Sequence, residues 1–306
     1  MNKVTNVRVL SNLVRLGVKN RTRAYSGLRR WRRMQSISQQ VLQARSIDDL
    51  PWTDAAQLTS NCGDRIFMSF HYGLWGLCIR AVVKATQCRR VYCIVDQAES
   101  AYSARLAALG QVAGIDLVVL SGGRSLLLGM AQARAEGAPI FAMLDGPCAT
   151  SDETSQRFAF MGGQIAASAT LFSLAVHAGL VPHLLVADYD ERQHTSVVRS
   201  HAPKTQADCF ALLEAYVKDK PWLWERLGDL HQQVSMPGRQ PHLPFKLFND
   251  FYVANMADLK VSRVNQTLYE QVLQVKRFTL QGLPLHAVSL LTDIRASTNL
   301  QLGAVF

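Results

Sequence analysis

From residue 61 onward, short apolar runs alternate with segments of helical length. Residues 66–70 form a compact apolar run behind the turn signal Asn61-Cys62-Gly63-Asp64, and residues 74–86 have the length of a helix. The β-branched run 91–95 reads as a strand and 100–109 as a helix. Residues 116–120 (Asp-Leu-Val-Val-Leu) read as a strand, and Ser121-Gly122-Gly123 turns the chain into a helix at about 125–136, which Gly137 ends. A strand is predicted at 139–144, a helix at 166–178 closed by Gly179, a strand at 182–187 and a helix at 206–217. Strand and helix alternating in this way predict an α/β fold. Its core is a twisted, mostly parallel sheet flanked by helices on both faces. In such sheets chemistry sits past the carboxyl ends of the strands.

The ends of the chain have a different texture. In residues 4–18, Val7, Leu10, Val14 and Val18 recur near helical spacing, with Arg8, Arg15 and Lys19 beside them. Residues 21–33 are strongly basic and carry Tyr25, Leu28 and Trp31. After about His231, Met236-Pro237-Gly238 and Pro241-His242-Leu243-Pro244 interrupt the pattern, and alternating runs follow at 260–264 and 274–278. Three regions are therefore expected: a basic amphipathic helical segment at 1–50, an α/β domain at 51–231, and a C-terminal extension at 232–306, with a boundary near 232–245.

Charge sharpens this division. Of the chain's 33 Lys and Arg, 11 lie in residues 1–47, which contain no acid; the remaining 22 face 23 Asp and Glu, so the rest of the chain is close to neutral despite a net charge of +10. The basic character is thus a local tag. It argues against a nucleic-acid-binding domain and for a segment that meets something acidic. Apolar and cationic residues on one helix suit an anionic membrane surface. They equally suit an acidic carrier protein, or a solvated basic helix packed on the domain. At 306 residues, 48% hydrophobic and 18% charged, the chain is neither disordered nor low in complexity. The longest stretch without a charged residue, 158–187, is broken by Gly162, Gly163, His177, Gly179 and Pro182, and so reads as globular rather than membrane-spanning. Six scattered cysteines without a C-x-x-C pair point away from a disulfide framework or zinc site and toward the cytoplasm. No metal or other cofactor is expected.

The sharpest local feature is Ser69-Phe70-His71-Tyr72-Gly73-Leu74-Trp75-Gly76. His71 follows a buried-looking strand and enters a helix, where an imidazole can act as a general base near neutral pH. Asp145 in Leu144-Asp145-Gly146 is a second candidate at a strand end, although the same pattern caps helices and turns. Further on, Arg157-Phe158-Ala159-Phe160-Met161-Gly162-Gly163 precedes Thr170 and an apolar run. Paired glycines before a helix leave backbone N–H groups able to meet an anion; they can also form a plain tight turn.

In this order the pieces resemble the lysophospholipid-type acyltransferases, in particular the bacterial lipid A late acyltransferase branch. That family has a strand followed by H-x4-[DE] entering a helix, and here His71, Gly73 and Trp75 match the motif. Leu144-Asp145 is similar to the family's strand ending in Asp, and Phe160-Met161-Gly162 with Thr170 to its block before an apolar helix. Val181-Pro182 matches a following strand, and Pro221-Trp222-Leu223-Trp224 a Pro-x-x-Trp signature. The resemblance spans roughly residues 60–230.

It implies an acyltransferase-like fold and transfer of an acyl group from an acyl carrier protein or coenzyme A thioester to a hydroxyl or amine. His71 would be the base, with Trp75, Arg157, Gly162, Gly163 and Thr170 at the substrate site. The cysteine pattern and the basic residues 1–47 point to a cytoplasmic protein with peripheral contact at the inner membrane face as one expectation. One departure stands out: the family's acid is replaced by Gly76. Three consequences are open. Another acid, Asp145 first, orients the imidazole; the acceptor is a stronger nucleophile; or the chain is a degenerate member that binds or scaffolds without turnover.

Overall fold

A computed structural model describes residues 3–18, 21–58, 64–95, 100–121, 124–146, 155–230, 234–235, 242–247, 249–255 and 260–279. Two helices, α1 (Lys3–Arg15) and α2 (Arg21–Gln43), lead into β1 (Trp52–Asp54) and β2 (Arg65–Ser69). Then come α3 (Gly76–Thr86), β3 (Arg90–Ile94), α4 (Ser100–Ala113), β4 (Asp116–Leu120), α5 (Arg124–Ala135) and β5 (Ile140–Met143). A hairpin, β6 (Ser155–Phe160) and β7 (Gly163–Ser168), is followed by α6 (Thr170–His177), β8 (Val181–Asp190), β9 (Thr195–His201) and α7 (Gln206–Asp219). The remainder holds β10 (Val234–Ser235), β11 (His242–Leu247), β12 (Asp250–Asn255), β13 (Val261–Val264) and α8 (Gln266–Thr279).

The main sheet has seven strands in the order β1-β9-β8-β2-β5-β3-β4. All neighbouring pairs are parallel except β8 and β9. Its centre reads as continuous apolar runs because helices cover both faces: α2 packs against α3 and α4, and Arg134 of α5 reaches Ala178 O at the end of α6. Over the described residues between 64 and 217 the α/β reading is therefore the observed architecture.

Two local expectations differ. Residues 166–168 belong to β7, and α6 starts only at Thr170. The reason lies just upstream: Met161 (φ 52°) and Gly162 (φ 77°) take left-handed conformations that turn the chain into a hairpin. Phe158 and Phe160 then point inward and Arg157 and Ala159 outward, with the two-residue period of a strand. The second difference is the alternating run 274–278, which lies in α8.

The N-terminal helices are part of the core. Val7, Leu10, Leu13, Leu28 and Trp31 are buried. Asn12 Nδ2 donates to Leu227 O at 2.6 Å, and Trp31 Nε1 lies within 3.2 Å of the carbonyls of Trp224 and Glu225. The apolar face that suited a lipid surface is thus covered by protein, and the exposed face of α2 carries Arg23, Arg29, Arg30 and Arg33. In the C-terminal extension, β10 adds a strand to the hairpin β6–β7, and β11–β13 form a separate antiparallel sheet. Among the described residues no helix is long and apolar enough to cross a membrane.

Candidate active site

His71 and Asp145 meet because β2 and β5 are parallel neighbours in register. Ser69 pairs with Met143, and Leu144 N–H donates to Ser69 O at 2.9 Å. Two residues further along each chain stand His71 and Asp145. The His71 N–H donates to both Asp145 carboxylate oxygens (3.0 and 3.1 Å), and His71 Nδ1 lies 2.9 Å from Oδ1. Trp224 Nε1 donates to Oδ2 at 2.8 Å. Both residues are buried, His71 to 3% and Asp145 to 1% exposure.

Burial alone would push the Asp145 carboxyl up. The charge and hydrogen bonds of His71, the nearby Arg226 and the Trp224 N–H outweigh it and hold the group below the ordinary carboxylate value. A carboxylate 2.9 Å from Nδ1 holds a ring proton on that nitrogen and fixes the orientation of the imidazole. In chemical terms a histidine and a carboxylate in this geometry can serve as a base and its orienting acid.

The segment after His71 is locked by backbone contacts. Tyr72 bridges to Trp224, and Gly73 to Ala187 on β8. Gly73 N–H donates to Leu223 O at 2.8 Å. Its φ is +60°, and a Cβ there would lie 1.8 Å from Ala187 O, so only glycine fits. Gly76 opens α3 directly beneath α2: a Cβ at this position would sit 3.0 Å from Leu42 Cδ2 and 3.4 Å from Val41 Cγ1. The position that holds the acid in the resembled family is covered here by a helix. The carboxylate beside the imidazole comes from Asp145, two residues past the end of β5.

A second carboxylate, unremarked in the sequence reading, stands close by. Glu225 N–H donates to His71 O at 2.7 Å. Its side chain accepts from Trp75 Nε1 at 2.8 Å and forms an ion pair with Arg105 of α4. Burial would raise this carboxyl, but Arg105, His71 and Trp75 together keep it lowered. Trp75 lies edge-on to His71, with centroids 5.8 Å apart, while the Arg105 guanidinium sits 5.1 Å from the Trp75 ring. Glu225 directly follows Trp224, the last residue of the Pro-x-x-Trp signature; Arg105 had no local signal. Cys78, near Ser69, is no competing nucleophile, since burial pushes its thiol up to about 12.

The other predicted residues lie elsewhere. Arg157 is exposed on the outward face of β6, opposite Ala166. Gly162 and Gly163 close the β6–β7 hairpin rather than opening a helix, which corrects the reading of an anion-binding helix start; Gly163 is paired with Phe160. Thr170 is exposed at the start of α6, with its hydroxyl 2.7 Å from Ser168 Oγ. The hairpin touches the cluster through Phe160, whose ring packs on Trp224 at 5.4 Å. Among the described residues, no group of His, Cys, Asp and Glu could hold a metal ion. Three surface cavities, of about 570, 500 and 360 Å³, have no wall formed by His71.

No family model matches the chain, and no curated protein matches it.

Proposed function

We propose that this chain is an acyltransferase with an acyltransferase-like fold, in which His71 is the general base and Asp145 its orienting carboxylate. The observation that carries the reading is the buried 2.9 Å pair at the ends of two adjacent parallel strands. The order of motifs resembling the lipid A late acyltransferase branch supports it, and Asp145 supplies the carboxylate that Gly76 lacks. The donor is an acyl carrier protein or coenzyme A thioester, and the acceptor a hydroxyl or amine. His71 Nε2 takes the acceptor's proton as the acceptor attacks the thioester carbon. The tetrahedral intermediate collapses, the C–S bond breaks, and the proton returns to the leaving thiolate.

The exposed arginines of α2 suit a cytoplasmic protein held at an anionic membrane surface by charge alone, since the apolar side chains beneath them are buried. Pelleting with anionic liposomes tests this: binding should weaken as salt rises, and absence of binding at low salt ends it. A second reading is a degenerate member that binds or scaffolds. It is favoured by the 3% exposure of His71, which leaves little room for an acceptor.

The deciding experiment incubates acyl carrier protein and coenzyme A thioesters with lipid and amine acceptors. Wild type should transfer, His71→Ala should lose at least about a hundredfold, and Asp145→Asn should fall with it. Equal rates in wild type and His71→Ala would remove His71 as the base. Gly76→Glu separates the two readings: its side chain must displace Leu42, so an active wild-type enzyme should lose activity, whereas a gain would mark a decayed site.

A further inference from the structure

A cavity of about 500 Å³ opens between α2, the start of α3, the chain before β1 and the β8–β9 turn, a size within the ordinary range for small-molecule sites. Its depth is apolar, formed by Ile37, Val41, Leu50, Leu74 and Leu77. Its rim is polar and carries Arg33. Arg33 Nη2 lies 3.3 Å from His194 Nδ1, and the Tyr189 hydroxyl is also 3.3 Å from that nitrogen. Among the described residues no carboxylate pairs with Arg33. On the β8–β9 turn the acids have other partners: Glu191 pairs with Arg30 at 3.3 Å, and Asp190 accepts from the N–H groups of Arg192 and Gln193. Because the Arg33 guanidinium can only donate, Nδ1 is the acceptor of that contact. The ring proton then sits on Nε2.

A second observation comes from the backbone. His194 closes the β8–β9 turn at φ 52°, a left-handed conformation where glycine or asparagine would be less strained.

We propose that this cavity binds an anionic amphiphile, with a carboxylate or phosphate at Arg33 and His194 and a hydrocarbon segment between α2 and α3. The cation at the mouth selects the charged head, and the apolar depth selects the chain. The site is separate from His71, so the proposal stands whether or not the chain transfers acyl groups.

The test is calorimetric titration of the full chain below micelle-forming concentrations with dodecanoate, dodecyl phosphate, dodecanol and inorganic phosphate. Saturable one-to-one binding of either dodecyl anion is expected, and the tighter of the two identifies the head group. Inorganic phosphate and dodecanol should bind at least roughly tenfold more weakly. Arg33→Gln, at an exposed position, should weaken the anion by roughly tenfold with Tm unchanged. Ile37→Trp should fill the cavity and abolish binding. His194→Gly is the sharpest variant: it relieves the turn, so Tm should hold or rise while affinity falls. Dodecanol binding as tightly as the anions, unsaturable uptake, or wild-type affinity in Arg33→Gln and Ile37→Trp would overturn the proposal.

Discussion

The strand-end cluster around His71 and the β6–β7 hairpin both looked chemical in the sequence, and they turned out differently. At the strand ends, a histidine and a carboxylate far apart in the chain are brought within hydrogen-bonding distance, and Trp224 closes the carboxylate's second oxygen. At the hairpin, Arg157 faces outward and the glycines serve the turn. The difference lies in what each signal depends on. A Gly-Gly pair answers a local backbone need and says little about neighbours. A polar residue just past an apolar strand is placed by the sheet, and neighbouring parallel strands deliver such residues to one edge.

Substitutions in the two regions should separate widely. The largest effect is expected for Gly73→Ala, whose Cβ would overlap Ala187 O at 1.8 Å. A loss above about 4 kcal/mol, or failure to fold, should appear in denaturant titration. At the hairpin, Gly162→Ala meets nothing within 4 Å and is strained only by its φ of +77°, so about 1–2 kcal/mol is expected. If the two variants unfold at the same denaturant concentration, the strand-end region is not the rigid one.

Asp145→Ala should come next, at about 3–5 kcal/mol, because it strands the buried His71 and Trp224 donors. The pH dependence has a definite sign. The native Asp145 carboxyl is held below its ordinary value, so its contribution is complete above the ordinary carboxylate range. That contribution is lost as pH falls through the depressed native value. Wild type should therefore lose more stability on acidification than Asp145→Asn; parallel acid-unfolding curves would remove the carboxylate's charge from the account.

A smaller effect is expected at Glu225. A double-mutant cycle of Glu225→Gln and Arg105→Gln should give a coupling of about 1–2 kcal/mol, since the pair is only partly exposed and shares Trp75. Zero coupling would demote the ion pair to a surface contact. The smallest change belongs to Arg157→Gln on the outer face of β6, within about 0.5 kcal/mol of wild type. A large loss there would return the hairpin to the list of functional regions.

Much of the fold was legible because the central strands are short apolar runs and the helices between them end at Gly137 and Gly179, both at positive φ. Among the strands before residue 202, β1, β6, β7 and β9 carry no clear signal in the sequence. Residues 163–168 are small and weakly patterned, and Ile165, Ala166 and Ala167 are all buried, which hides the two-residue alternation. The N-terminal helices were recognisable as amphipathic. Whether their apolar face meets lipid or protein depends on Trp224 and Leu227, some two hundred residues away.

The sequence by itself determined the α/β alternation, the basic N-terminus and the strand-end places of His71 and Asp145, because those depend on local periodicity and composition. The tertiary structure alone decided that β5, rather than β3, lies beside β2. It also decided that α2 fills the space over Gly76 and that Glu225 and Arg105 close in around Trp75. Strand order and helix docking are set by which faces bury together across the whole chain, and no short stretch of residues carries that information.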